Sequence, residues 1–179
     1  EGFIKDADLI ARSQKVPRPN IWMLYYKIFD AVYLPKDKEK YGVKISFENE
    51  SSDCEIKKCV GRRLEVYKGK KLALPSGETD PDKLPDIIIT LLNKDKKVIC
   101  FQRLKASLFH LKDSFFVCKL IPEPTVDKVS DRSNAGLVKV RLFLYNSQTE
   151  ENLIPKDVNL NEFSTGKSGK VKGEIDYEE

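Results

Sequence analysis

The sequence predicts an all-β chain, an antiparallel β-sandwich of about eight strands, on three observations. Short segments rich in β-branched and aromatic residues recur along its 179 residues. Clusters of Pro, Gly, Asn and Asp stand between them as turn signals. No stretch carries the sustained period of a long helix. Strands at short spacing without helices between them are the pattern of a sandwich.

Residues 1–19 lead into "KVPRPN", where Pro17 and Pro19 enforce an extended linker. "IWMLYYKIFDAVYL" has too little polar alternation to be half exposed and predicts a long, largely buried strand. "PKDKEKY" is a charged loop. In "GVKISFE", Val43, Ile45 and Phe47 alternate with Lys44 and Ser46, a second strand. "EIKKCV" and "RLEVYK" read as two further strands separated at Gly61, and "LPSGETDPDKLP" as a loop. "DIIITLL" and "KVICFQRL" flank the turn "NKDK" and predict a hairpin. "SFFVCKLI" is a strand stopped by Pro122 and Pro124. In "GLVKVRLFLYN", Val138, Val140, Leu142 and Leu144 share one face, with Lys139 and Arg141 on the other. "GKVKGEIDYEE" reads as an edge strand. Residues 20–179 are expected to form one sandwich. Residues 137–179 either complete it or begin another segment, and completion is expected because the remaining tail is too short to fold alone.

Composition narrows the function. A net charge of +4 leans toward acidic partners without implying nucleic acid. The four cysteines, Cys54, Cys59, Cys100 and Cys118, form no C-x-x-C pair, and His110 is the one histidine, so no zinc site is expected. Reduced, buried thiols point to a reducing compartment. No segment approaches the roughly 18 apolar residues of a helical membrane span. The start at Glu1 reads as a piece of a larger protein.

"NEFSTGKSGK" contains Gly166-Lys167-Ser168, the end of a phosphate loop. Asn161 stands where that loop needs its first glycine, and a strand-like tail follows instead of a helix. No nucleotide is expected there. His110 in "SLFHLKD" has apolar neighbours and no nucleophile motif, so it reads as a packed residue and the chain as no enzyme.

Charge in particular places remains. Lys57, Lys58, Arg62, Arg63, Lys68, Lys70 and Lys71 crowd one stretch against Glu65 alone. As a strand, "RLEVYK" would put Arg63, Glu65 and Tyr67 on one face, a basic surface suited to phosphoinositide head groups. "PKDKEK" and "NKDKK" add Lys36, Lys38, Lys40, Lys94, Lys96 and Lys97, in loops of the kind that gather at one rim of a sandwich.

The segments "LPKDKEKYGVKISFENE" and "LPDIIITLLNKDKKVICFQRL", in this order, resemble a C2 domain, a lipid-binding β-sandwich. "PRPNIWMLYYKIFDAVYLPKDKEKYGVKISFENESSD", the "PDIII" hairpin and "GLVKVRLFLYNSQTEENLIPKDVNLNEFSTGKSGK" are more specifically similar to the central region of ferlins, large vesicle-fusion and membrane-repair proteins. The likeness spans about residues 17–170. It departs where ferlins carry a helical insertion and this chain has only "GKKLALPSGETDPDK". The resemblance implies a non-catalytic phospholipid-binding module on the cytoplasmic face of a vesicle or plasma membrane. Of a calcium loop it leaves Asp37, Asn93 and Asp95, with Lys40 where a second aspartate belongs and Asn93 replacing another. Calcium-independent binding to anionic phospholipid is therefore expected, with no cofactor. The alternative is a scaffold module that packs on neighbouring domains of the same protein through its hairpin strands and Trp22.

Overall fold

The computed structural model describes residues 20–123 and 136–164. The expected linker over 1–19, the loop 124–135 and the glycine-lysine stretch with its edge strand over 165–179 lie outside the described residues. Strands β1 (Asn20–Val32), β2 (Lys40–Phe47), β3 (Glu50–Ser51), β4 (Lys57–Lys58) and β5 (Leu64–Ser76) come first. They are followed by β6 (Ile87–Leu92), β7 (Val98–Leu104), β8 (Ser114–Lys119), β9 (Ile121–Pro122) and β10 (Leu137–Asn146). One sheet has the order β5-β1-β10-β8. The other runs β3-β2-β6-β7-β9, with β4 also paired to β2.

Alternation builds the core between the sheets. Trp22, Leu24, Tyr26 and Ile28 of β1 face Val43, Ile45 and Phe47 of β2 and Ile87, Ile89 and Leu91 of β6 in one buried cluster. Val138, Val140, Leu142 and Leu144 enter it from β10, as the period-2 pattern predicts. β10 lies between β1 and β8, so residues 137–146 belong to this sandwich. Trp22 is fully buried, its Nε1 donating to the Glu78 carbonyl at 2.9 Å. Ile87, Ile89 and Leu91 are buried as well. The expectation that Trp22 and the hairpin strands form an inter-domain surface is corrected by that burial.

Three elements depart from the sequence reading. "EIKKCV" shrinks to the two residues of β4, because Gly61 (φ +66°) and Arg62 (φ +58°) turn the chain through the left-handed region straight after it. β5 runs on through Pro75 to Ser76. A proline is tolerated there because, among the described residues, β5 is an edge strand with no ladder on its outer side. The expected alternation of Arg63, Glu65 and Tyr67 is broken by a bulge. Both ladders of β1 shift between Ile28 and Asp30, and Tyr67 sits at φ +48° opposite the shift.

The outer face of the four-stranded sheet carries Lys139 and Arg141, as the alternation places them, and both are buried. A second cluster forms on this face from Phe143, Tyr145 and Phe163, with Met23, Tyr25, Ile154, Val158 and Leu160 packed against it. Phe163 belongs to a 3-10 turn, Leu160–Ser164. That turn comes so close to β5 that a Cβ on Gly69 would lie 1.6 Å from the Phe163 carbonyl oxygen, and only glycine fits. The Arg141 guanidinium forks onto Asp113 at 2.9 and 2.6 Å and reaches Glu162 at 3.1 Å.

All four cysteines are free. Burial pushes the thiols of Cys100 and Cys118 up to about 11.

Candidate functional site

Register brings the lysine-rich loops together. β1 ends into loop 33–39, which leads to β2. β2 pairs with β6 antiparallel, Gly42 opposite Leu92, so loop 93–97 after β6 stands beside loop 33–39. β4 pairs with the start of β2, adding the turn 59–63 at the same end. These three loops form the rim.

Loop 33–39 and the turn 59–63 are tied into one unit. Leu34 N donates to the Arg62 carbonyl at 3.1 Å, and Arg62 Nε returns a bond to the Leu34 carbonyl at 2.6 Å. Asp37 Oδ1 accepts from Lys38 N at 2.8 Å and from Arg62 N at 3.1 Å. The Arg62 amide leads in holding the Asp37 carboxyl below its ordinary value of 3.8, with the Lys38 and Gly61 amides and the Lys38 charge assisting. The hydroxyl of Tyr41 accepts from Lys36 N at 3.1 Å. Loop 93–97 is closed by Asn93, whose Oδ1 accepts from Asp95 N at 2.9 Å and Lys97 N at 3.0 Å.

On this frame Lys36, Lys38, Lys40, Lys58, Lys94, Lys96 and Lys97 are all exposed. Lys40 and Lys58 are direct partners in the β2–β4 ladder. Like charges opposite one another in a ladder are destabilising by roughly 0.2–1 kcal/mol, so this pair works against the fold. Lys38 (φ +61°) and Lys96 (φ +60°) occupy left-handed backbone where glycine is favoured. Backbone strain of this kind collects where loops have a task besides stability.

The rest of the expected basic set is placed differently. Arg63 Nε donates to Asp30 Oδ2 at 2.8 Å, and Asp30 is buried. Lys57 donates to the Glu65 carbonyl and lies 3.6 Å from Glu55, and Lys68 lies 4.0 Å from Glu55. Together with Arg62 these residues brace the loops from behind. Lys57, Lys58 and Arg63, with Val60, Leu64 and Glu65, line a depression of about 430 Å³ beside the turn.

Two rim residues escape sequence reading. Tyr33 is 61% exposed and Val60 74% exposed, an aromatic and an aliphatic side chain set among the lysines. Both read as strand residues in "AVYL" and "KKCV". Only the Gly61 next to Val60 signals a turn there.

Asp37 and Asn93 direct side-chain oxygens to backbone N–H groups. Among the described residues no three or more His, Cys, Asp or Glu side chains are placed to hold a metal ion. His110 is packed as expected, its Nε2 2.7 Å from Glu150 Oε2 and its ring edge-on to Trp22.

An antiparallel sandwich with seven long strands among the described residues, and with its loops gathered at one rim, is C2-like. No protein-family model and no curated protein matches the sequence. Solved structures do match. A C2 domain of plant extended synaptotagmin 1 superposes with a TM-score of 0.50 at 13% identity, over 73% of this chain and 98% of that one. A structure of extended synaptotagmin 2 that holds its SMP domain and two C2 domains gives 0.51 at 11% identity, over 77% of this chain and 30% of that one. The two C2 domains of the same protein without the SMP domain give 0.50 at 10% identity, over 77% and 46%. The chain thus spans less than half the length of either extended synaptotagmin 2 structure. At these identities the shared property is the fold, a C2-like antiparallel β-sandwich.

Proposed function

We propose that this chain is a non-catalytic module that docks on anionic phospholipid surfaces through the rim, without calcium. The Lys40–Lys58 pair carries the reading: the fold sets two exposed lysines face to face, and a phosphate between them would relieve their repulsion. Each rim lysine near an anionic surface adds about 1 kcal/mol, screened within about 8 Å at physiological salt. Tyr33 and Val60 suit the boundary between head groups and acyl chains, where an amphipathic aromatic ring settles. An ammonium group takes the place of a bridging ion, and the oxygens of Asp37 and Asn93 are engaged in shaping the loops.

The ordered likeness of "PDIII", "LPKDKEK" and "GLVKVRLFLYN" to ferlin segments supports a finer reading. On it, the chain is a module of a ferlin-like protein acting in vesicle fusion or exocytosis at the cytoplasmic face of a vesicle or plasma membrane. Among the described residues no helix is long and apolar enough to cross a bilayer.

Vesicle co-sedimentation tests this. Neutral, phosphatidylserine and phosphoinositide vesicles are compared at low and high salt, with calcium and with chelator. Binding to acidic vesicles that is salt-sensitive and indifferent to calcium is expected. Absence of binding under every condition rejects the proposal. The scaffold reading then stands, favoured by Leu108 and Leu153, each more than half exposed at the end opposite the rim. It predicts salt-insensitive association with a neighbouring domain.

A further inference from the structure

Among the described residues, four strands end the two sheets: β5 and β8 in one, β3 and β9 in the other. An edge strand offers unpaired backbone N–H and C=O groups to another strand, and proteins blunt it with lysine, proline, a bulge or shortness. Three of these edges are blunted. β5 carries exposed Lys68, Lys70 and Lys71, Pro75 and the bulge near Tyr67. β3 and β9 are two residues long, and β9 ends in Pro122. β8 has none of these devices from Ser114 to Cys118, and its Val117 is 52% exposed.

The sequence of this edge is complementary to itself. Alternation turns Phe116 and Cys118 toward the core, where Phe116 stacks on Phe109 and Cys118 is buried. Asp113, Phe115, Val117 and Lys119 then share the outer face, with Asp113 on Arg141 and Phe115 stacked on Phe29. Set antiparallel to a copy of itself about Phe116, the strand faces Asp113 with Lys119 and Phe115 with Val117, each pair twice. Opposite charges, and an aromatic ring against a β-branched side chain, are favourable cross-strand pairs. A register shifted by two residues either way loses the charge pair, because Asp113 then meets Val117 or Ile121. The Asp113 carboxylate has lone pairs enough to accept from a lysine while it holds Arg141.

We propose that β8 pairs antiparallel with β8 of a second copy of this chain, centred on Phe116, joining two four-stranded sheets into one continuous sheet. The contact is isologous, as a self-complementary strand requires. β8 runs toward the rim, since Lys119 is the ladder partner of Leu137, and Leu137 that of Val32 at the end of β1. Its antiparallel partner runs the other way, so the two rims point in opposite directions. One dimer would then bridge two anionic membranes, a consequence that rests on the rim reading given above.

Sedimentation equilibrium of the full chain without vesicles reads the contact itself. The mass should climb with concentration from 20.5 kDa toward that of two chains. In a mixture of isotope-labelled and unlabelled chains, zero-length carbodiimide should join Lys119 of one copy to Asp113 of the other. Lys119→Glu, at an exposed position, sets like charges opposite one another twice and should weaken the dimer about tenfold or more, with an unchanged circular dichroism spectrum. A mass of one chain at every concentration, or a dimer that Lys119→Glu leaves intact, overturns the proposal. Phosphatidylserine vesicles come last. The wild type should cluster them, and the charge-neutral Val117→Asn should bind them without clustering. A dimer that binds no vesicle leaves the β8 contact standing and rejects the rim; vesicle binding by a chain that stays monomeric does the reverse.

Discussion

Lysine occupies two settings in this molecule. At the rim it is exposed, placed at left-handed backbone in Lys38 and Lys96 and opposite another lysine at Lys40, each a local disadvantage for the fold. On the outer face Lys27 and Lys139 are buried over aromatic rings, beside an Arg141 held by two carboxylates. The contrast separates a cation that completes the structure from one that the structure presents. Charge count does not make that distinction; register and burial do.

Substitutions should divide along the same line. The largest expected effect is on the outer face. Arg141→Ala leaves Asp113 and Glu162 without their shared cation, and removing one partner of a buried pair costs about 3–5 kcal/mol. Urea denaturation should show that loss, with vesicle affinity of the folded fraction unchanged. A large affinity loss would erase the distinction between the two regions.

At the rim the sign reverses. Lys96→Gly relieves a left-handed lysine and is expected to gain about 1 kcal/mol in stability. The same change removes one charge and should weaken binding to acidic vesicles about fivefold, the equivalent of about 1 kcal/mol. A variant that loses both would make Lys96 an ordinary structural residue.

A smaller effect concerns pH. The folded Asp37 carboxyl titrates below its ordinary 3.8, so its tie between the loops is present above that value and is lost as pH falls through the folded one. The Arg62 amide resonance should therefore hold steady from neutral pH down to about 4 and move only in more acid solution. Movement between pH 5 and 7 would contradict the assignment of Asp37 to loop closure.

Much of the fold was legible in the sequence because it rests on local alternation. β1, β2, the β6–β7 hairpin and β10 follow from apolar residues at period 2 and from Asn93-Lys94-Asp95-Lys96 as a turn. The meeting of the two lysine loops was legible as well, since antiparallel hairpins leave few ends at which loops can gather. The coverage of the outer face was not. Alternation puts Arg141 on the outer face but says nothing of Asp113 and Glu162, 28 and 21 residues away, which close on it. Nor does any residue in "NLNEFS" announce that Phe163 will pack on Gly69. Tyr33 and Val60 were missed for the opposite reason: apolar residues beside strands are read inward, and only the left-handed turns at Tyr33 and at Gly61-Arg62 show where these strands end.

The most direct test of the central claim is Lys40→Gln/Lys58→Gln, measured for both unfolding and binding to phosphatidylserine vesicles at low salt. Removing a like-charged ladder pair should leave stability equal or slightly higher, within about 1 kcal/mol, while affinity falls by an order of magnitude or more. Unchanged affinity, or a loss of stability that accounts for the loss of binding, would contradict a rim built to hold anionic lipid.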